Sequence, residues 1–435
     1  MKTRMLRAGR GLLGATGIYV IGNILNAAIP FFLLPVLTRV LSPEEYGTVA
    51  MFTLVIGIMG AFTGLSVHGA ISVRYFQLNE RAIARYVGTC LAILAVSTVF
   101  ILATAALTRP WLEAFTHVPG DWLMIAVLVS AAQFVVNIRL SLWQVKRQPI
   151  AYGLFQVSQS VLNASLSLLL VLGTTMAWQG RALGQALAAG GFMLIGLLLL
   201  WRNGEVSSPT SKDDARDALR FGVPLIPHAL GGLMIVTVDR FMISNMLDVD
   251  RTGIYMVALQ FGMVLGLIAD SFNRAYAPWL MGALVNEDPV RDHKIVRGTY
   301  LYFAIASVAA LAMAGMAPFV LTILAGEQFQ QAADVVPYIA FGYAFCGMYY
   351  MVTNYIFFSG KTAYLAMNTF ITGLFNVLAT YFLIKMNGLV GAAQAFMLSQ
   401  AFLFLGTWWI ACRVRPMPWR AAIFPVPHRR AGRIV

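Results

Sequence analysis

The chain has 435 residues, with 31 Lys and Arg against 18 Asp and Glu, for a formal charge of +13. Only 11% of its residues are charged and 59% are hydrophobic, where a soluble protein has about a quarter charged. With a mean hydropathy of +0.74, this excludes an ordinary soluble protein, and also a disordered chain, which needs low hydrophobicity and high charge. The basic excess then reads as membrane topology before it reads as nucleic-acid binding.

A bilayer span takes about 20 mostly apolar residues. Twelve such runs follow one another: 14–37, 47–70, 86–107, 122–143, 150–172, 182–201, 222–246, 253–272, 299–320, 335–357, 363–384 and 388–411. They are long and continuous, unlike the short alternating strands of an outer-membrane barrel. The sequence therefore predicts an all-α integral membrane protein with twelve transmembrane helices. The first run exceeds a signal-peptide core and is not closed by a small-x-small site, so it is expected to remain as the first helix. Cys90, Cys346 and Cys412 are far apart in or beside apolar runs and suggest neither a disulfide nor a zinc framework.

Helix-start chemistry recurs along the chain. Ser42-Pro43-Glu44-Glu45 places Ser at N-cap, Pro at N1 and Glu at N3, a capping box. Asp288-Pro289 repeats the cap-plus-Pro device. Pro30 and Pro35 are expected to break the first helix. Pro224, Pro227, Gly231 and Gly232 are expected to interrupt the seventh.

Lys and Arg set the orientation. With the N-terminus inside, 24 of the 31 fall on the inner side and five outside: Arg39, Arg109, Arg181, Arg251 and Lys385. Arg139 and Arg240 remain within spans. Both termini are then cytoplasmic. The organisation predicted is an N-terminal six-helix bundle over 1–201, a cytoplasmic linker over 202–221, a C-terminal six-helix bundle over 222–412, and a basic cytoplasmic tail over 413–435. The tail holds several Arg and Pro and is suited to anionic lipid headgroups rather than nucleic acid. No loop is large enough for an extramembrane catalytic domain.

The two halves repeat. Leu41-Ser-Pro-Glu-Glu-Tyr-Gly47 matches Leu247-Asp-Val-Asp-Arg-Thr-Gly253, Ala151-Tyr152 with Asn163 matches Ala363-Tyr364 with Asn376, and Gly180-Arg-Ala-Leu-Gly-Gln-Ala matches Gly388-Leu-Val-Gly-Ala-Ala-Gln-Ala. Six helices per half is an even number, so both halves share one orientation and are expected to be related by an axis along the membrane normal.

Three stretches carry a family resemblance: Asn23 through Tyr46, with Pro30, Pro35-Val-Leu-Thr-Arg39 and Leu41-Ser-Pro-Glu-Glu-Tyr-Gly47; Val238-Asp239-Arg240-Phe-Met-Ile-Ser with Gly253-Ile-Tyr255-Met-Val-Ala258; and the Gly-rich starts of the sixth and twelfth helices. In these the chain resembles the bacterial polysaccharide flippases of the Wzx type. Their superfamily includes lipid II flippases and the multidrug and toxic compound extrusion transporters. The resemblance implies an inner-membrane flippase that moves an undecaprenyl-pyrophosphate-linked oligosaccharide from the cytoplasmic to the periplasmic leaflet by alternating access. Its product would feed O-antigen, capsule or exopolysaccharide synthesis, with a polysaccharide polymerase and chain-length proteins as further partners.

Ionisable residues inside the membrane point to function. Arg139, Asp239 and Arg240 are the candidates for a substrate cavity, because Arg binds phosphate oxygens in pairs and stays charged. The alternative is a buried structural ion pair, with Arg139 as the partner expected for Asp239. Gln133 and Asn137, four residues apart, continue this polar stripe on the fourth helix. Asp270 and Arg274 are spaced for a surface ion pair, with a cytoplasmic gate as the alternative. His68 and His228 are read as packing residues, with proton coupling as the alternative. Asn163 and Asn376 read as polar glue between helices.

No Walker motif, nucleophile elbow, His-Glu-x-x-His or metal-ligand cluster occurs. The expectation is a non-enzyme without cofactor or metal, driven by an H+ or Na+ gradient, the membrane potential or substrate removal. The other readings are a multidrug cation antiporter, a lipid II flippase and a membrane polysaccharide polymerase.

Overall fold

The computed structural model describes Leu25, Ile29 and residues 31–208, 211–285, 288–359 and 361–423. All regular structure among them is helical: α1 (Phe31–Val40), α2 (Pro43–Phe62), α3 (His68–Arg74), α4 (Glu80–Leu107), α5 (Arg109–Thr116), α6 (Gly120–Val145), α7 (Pro149–Gly173), α8 (Trp178–Arg202), α9 (Lys212–Gly222) and α10 (Leu225–Met246). Then come α11 (Val249–Leu284), α12 (Pro289–Leu324), α13 (Ala332–Phe358), α14 (Thr362–Val414) and α15 (Trp419–Ile423). Among the described residues, nine stretches are long and apolar enough to cross a membrane. Asn23, Asn26 and Pro30 lie outside the described residues.

The chain forms two compact units. One comprises Met1–Val257 with Leu321–Gln331, the other Ala258–Val320 with Ala332–Val435.

In the first unit, α2 begins at the capping box. The Ser42 hydroxyl accepts from the Glu45 N–H at 3.2 Å, and the Glu45 carboxylate accepts from the Ser42 N–H at 2.8 Å. The helix ends in a left-handed stretch, with φ of 74° at Gly64, 50° at Leu65 and 56° at Ser66. At Gly64 a Cβ would collide with the Phe134 ring. The break is held by the Gly64 N–H donating to the Ser97 hydroxyl at 2.8 Å and by Thr63 and Ser130 sharing a 2.9 Å hydroxyl bond. Around it pack Val67, Ile71, Tyr86, Val87, Leu94, Phe134 and Ile138. Met51, Phe52, Val55 and Leu123 form a second core.

The expected interruption of α10 is corrected. The helix runs unbroken over Leu225–Met246, because Pro224 stands at its N-cap and Pro227 in its first turn. There a missing N–H costs nothing, since first-turn donors have no intrahelical partner.

The repeated motif packs on itself. A Cβ at Gly47 would strike the Val249 carbonyl and come within 3.0 Å of the Gly253 nitrogen; one at Gly253 would strike the Pro43 carbonyl and come within 2.9 Å of the Gly47 nitrogen. The starts of α2 and α11 thus cross through their matched glycines. A second reciprocal pair surrounds them. The Arg39 guanidinium donates to the Ile323 carbonyl at 2.7 Å, and the Asn245 amide to the Phe115 carbonyl at 3.3 Å. Contact of i with j beside j with i is the signature of a local twofold.

In the second unit, α12 begins under Asp288, whose carboxylate accepts from the Val290 and Arg291 N–H groups at 3.0 and 3.2 Å. Tyr300, Phe303, Tyr355, Phe404, Trp408 and Trp419 form an aromatic core. The 53 residues of α14 would span about 80 Å if straight, far more than a bilayer's ~30 Å core. Gly388, with φ 57° and ψ −133°, reverses the chain. The two arms then run antiparallel. The Asn368 amide donates to Thr407 Oγ1 at 3.0 Å, and Asn376 Oδ1 accepts from the Ser399 hydroxyl at 3.0 Å. Asn376 therefore joins the arms.

Candidate functional site

Three polar stripes lie on α6, α7 and α8. On α6 they are Ser130, Gln133 and Asn137; on α7, Gln156, Gln159, Ser160, Asn163 and Ser167; on α8, Arg181 and Gln185. The three- and four-residue spacings put each set on one face of its helix. Two cavities in the first unit use these faces. The larger, about 430 Å³, is lined by Gly57 and Gly60 of α2, Ser66, His68, Ser130, Gln133, Phe134, Asn137 and Leu233 of α10. The smaller, about 190 Å³, lies among α6, α7 and α8. Gln133 and Asn137 line both, so they form the partition between them. Among the described residues, no Asp or Glu lines either cavity.

His68 stands edge-on to Phe134 with centroids 5.1 Å apart, and its buried Nδ1 has no partner among the described residues. An unpaired buried polar atom costs about 1–3 kcal/mol.

Arg139 lies elsewhere. Its side chain is 1% exposed, is paired with Glu205 beyond the end of α8, and lies 4.1 Å from the Trp143 ring centroid. Lys146 pairs with the other Glu205 oxygen. The pairing of Arg139 with Asp239 expected from sequence is therefore corrected. Asp239 instead accepts from the Tyr255 hydroxyl at 2.7 Å and from the Arg240 backbone N–H at 2.8 Å. These bonds join α10 to the start of α11 and connect the two sequence segments Val238–Ser244 and Gly253–Ala258. Arg240 makes no ion pair among the described residues, and its Nε is buried without a partner. It follows Leu233 by seven residues, so it lies on the cavity-facing side of α10, about 10 Å further along.

Asp270 and Arg274 form an exposed 2.8 Å ion pair on α11, as their spacing allows. The side chain of His228 lies outside the described residues.

Several residues escaped the sequence reading. Arg181, assigned there to an outer loop, is part of α8. Its guanidinium donates to Asn163 Oδ1 at 2.8 Å and to the Ser167 hydroxyl at 2.9 Å, both neutral partners. Glu205 gave no local sign of its role. Gln156 and Gln159 were legible as the i, i+3 start of a stripe ending at Asn163.

On the side that carries Arg74 and Arg85, α9 is clamped to the bundle. Asp217 accepts from Arg74 at 2.7 and 2.8 Å and from the Tyr86 hydroxyl at 2.9 Å, and Asp214 pairs with Arg85 at 2.8 Å. The Arg74 guanidinium, with help from the Tyr86 hydroxyl, holds the Asp217 carboxyl below the usual carboxylate range.

Residues 12–284 match the family described as "Polysaccharide biosynthesis protein". The chain belongs to that family. Two Haemophilus influenzae relatives are each 24% identical over 355 residues. One, an "Uncharacterized membrane protein", is matched over 81% of this chain and 85% of its own length; the other, "Lsg locus putative protein 1", over 79% and 84%. Among solved structures, the lipid II flippase MurJ in an inward closed conformation superposes with a TM-score of 0.71 at 13% identity, covering 91% of this chain and 86% of that one. A mutant of the Vibrio cholerae MATE transporter VcmN gives 0.58 at 13% identity, covering 94% and 97%. This member of the polysaccharide biosynthesis family thus has the transporter fold shared by MurJ and MATE proteins, and it is a multi-pass membrane protein.

Proposed function

We propose that the protein is a flippase that moves an undecaprenyl-pyrophosphate-linked oligosaccharide from the cytoplasmic to the periplasmic leaflet, for O-antigen, capsule or exopolysaccharide synthesis. The observation that carries this reading is a cavity in a polysaccharide-family chain that presents Ser66, His68, Ser130, Gln133 and Asn137, with no carboxylate among its described lining residues. Amides and hydroxyls suit sugar hydroxyls, which both donate and accept. A drug-cation antiporter would favour acidic groups there. Arg240, with no carboxylate partner among the described residues, is the side chain suited to the pyrophosphate. The full architecture in this reading is twelve helices in two six-helix bundles, both termini cytoplasmic, in the inner membrane. The split of α14 at Gly388, the 22-residue α10 and the apolar α1 support that number beyond the nine stretches. Polymerase and chain-length proteins would act on the delivered product outside the membrane, and an H+ or Na+ gradient would drive the cycle.

The test is complementation in a strain lacking its own flippase. Restored surface polysaccharide, with loss of the lipid-linked oligosaccharide accumulated at the inner leaflet, is the expected result. Continued accumulation despite normal protein levels would sink the reading. Arg240→Ala is expected to abolish restoration and Arg240→Lys to retain part of it.

A further inference from the structure

The smaller cavity is built differently from an ordinary helix interface. Six amides face it from three helices: Gln133 and Asn137, Gln156, Gln159 and Asn163, and Gln185. Polar residues between membrane helices usually bond to one another across the interface. Here, among the described residues, Gln133, Asn137, Gln156, Gln159 and Gln185 make no hydrogen bond within the protein, and the Gln156 Oε1 is fully buried. Only Asn163 is engaged. Arg181 donates to its oxygen at 2.8 Å, which turns its NH₂ group away from the guanidinium. Each free amide offers two donors and two acceptor lone pairs. Asn376, the repeat partner of Asn163, is by contrast consumed by Ser399 and Thr380. Both positions thus join two helices, and Asn163 in addition lines the cavity.

We infer that this cavity among α6, α7 and α8 is a binding pocket for a pyranose ring, reached from the larger cavity past Gln133 and Asn137. A ring bearing several hydroxyls presents donors and acceptors around its whole rim, which is what amides converging from three helices can match. An anion would require cations on the wall and a cation would require carboxylates; the described lining residues include neither. The volume of about 190 Å³ limits the occupant to one sugar residue rather than a chain. The choice of sugar as ligand rests on the flippase reading, whereas the pocket itself rests on its geometry.

The test uses the full chain in phosphatidylethanolamine–phosphatidylglycerol nanodiscs. The probes are the methyl pyranosides of glucose, galactose, mannose and N-acetylglucosamine, with glycerol as the control polyol. Saturation-transfer NMR is expected to report contact with ring protons for at least one pyranoside, and that pyranoside should raise the melting temperature of the unmodified protein more than glycerol does. The double variant Gln159→Leu/Gln185→Leu should lose the ring signal to the glycerol level. Gln185→Asn, which keeps the polarity and shortens the reach, should weaken it several-fold. Ring signals no stronger than glycerol for all four probes, or signals unchanged in both variants, would overturn the inference. A chain that complements a flippase deletion yet binds no pyranoside defeats this inference alone; one that binds but does not complement defeats the flippase reading alone.

Discussion

Arg139 heads the fully buried side chains, and it is held by Glu205, 66 positions along the chain. Glu205 also holds Lys146, so two cations share one carboxylate in a nearly dry setting. Removing the shared partner is costlier than removing the pair. Glu205→Gln is expected to destabilise by about 3–5 kcal/mol, while Arg139→Met combined with Glu205→Met should cost much less; melting of the purified variants separates the two. Asp217 carries a pH effect. Its folded-state pKa lies below the ordinary value because Arg74 and Tyr86 bond to the ionised form. The stabilisation is therefore fully present above the unfolded value of about 3.9 and is lost as pH falls through the lower folded value. The protection of α9 amides, corrected for the intrinsic pH dependence of exchange, should hold at neutral pH and fall only in acid. Asp217→Asn should lower that protection at neutral pH and change little in acid, where the wild-type carboxyl is already neutral. The clamp is partly exposed, so its effect is expected to be small.

At the scale of elements, two kinds of glycine requirement separate cleanly. Gly47 and Gly253 are needed for space, because each backbone occupies the site of the other's Cβ. Gly388 is needed for conformation, because a Cβ there would meet nothing within 4 Å, yet its φ of 57° with ψ of −133° suits only glycine. Gly253→Val is expected to separate the starts of α2 and α11, at about 1–3 kcal/mol or more. Gly388→Ala should cost about 1–3 kcal/mol without disturbing a neighbour. Melting temperatures measure both, and a disulfide trap between cysteines placed at 43 and 250 should form less readily only in the first. The sequence pointed to Pro and Gly clusters as the sites of helix breaks. The break beside the larger cavity instead falls at Gly64–Ser66, where two of three residues have side chains. It is imposed by Phe134, Ser97 and Ser130 from other helices, so no local pattern announced it. The caps at Ser42 and Asp288 were legible because their partners lie within three residues.

At the scale of the whole molecule, apolar side chains both fill the cores and cover much of the exposed surface. Val96, Val99, Phe100 and Leu107 of α4 and Leu154, Leu169 and Leu172 of α7 are exposed, as lipid contact allows. The amides of α6, α7 and α8 face the interior. In the flippase reading the basic side is cytoplasmic. An alkaline phosphatase reporter fused after residue 118 should therefore be active, and one fused after residue 205 inactive; the opposite pattern would invert the topology.

The membrane class, the order of apolar runs and the repeat were legible from composition and pattern alone, because desolvation of about 20 consecutive residues is a sum that depends hardly at all on their neighbours. Gln133 and Asn137 were legible for the same reason, as a local stripe. The i, i+4 pair of Asp270 and Arg274 was legible too, but which charge meets which across helices was not. Arg139 took Glu205, Asp239 took Tyr255, and Arg181 took Asn163 and Ser167. A single charge or amide acquires its role from one partner at a few ångströms, and only the packing of distant helices decides which partner that is.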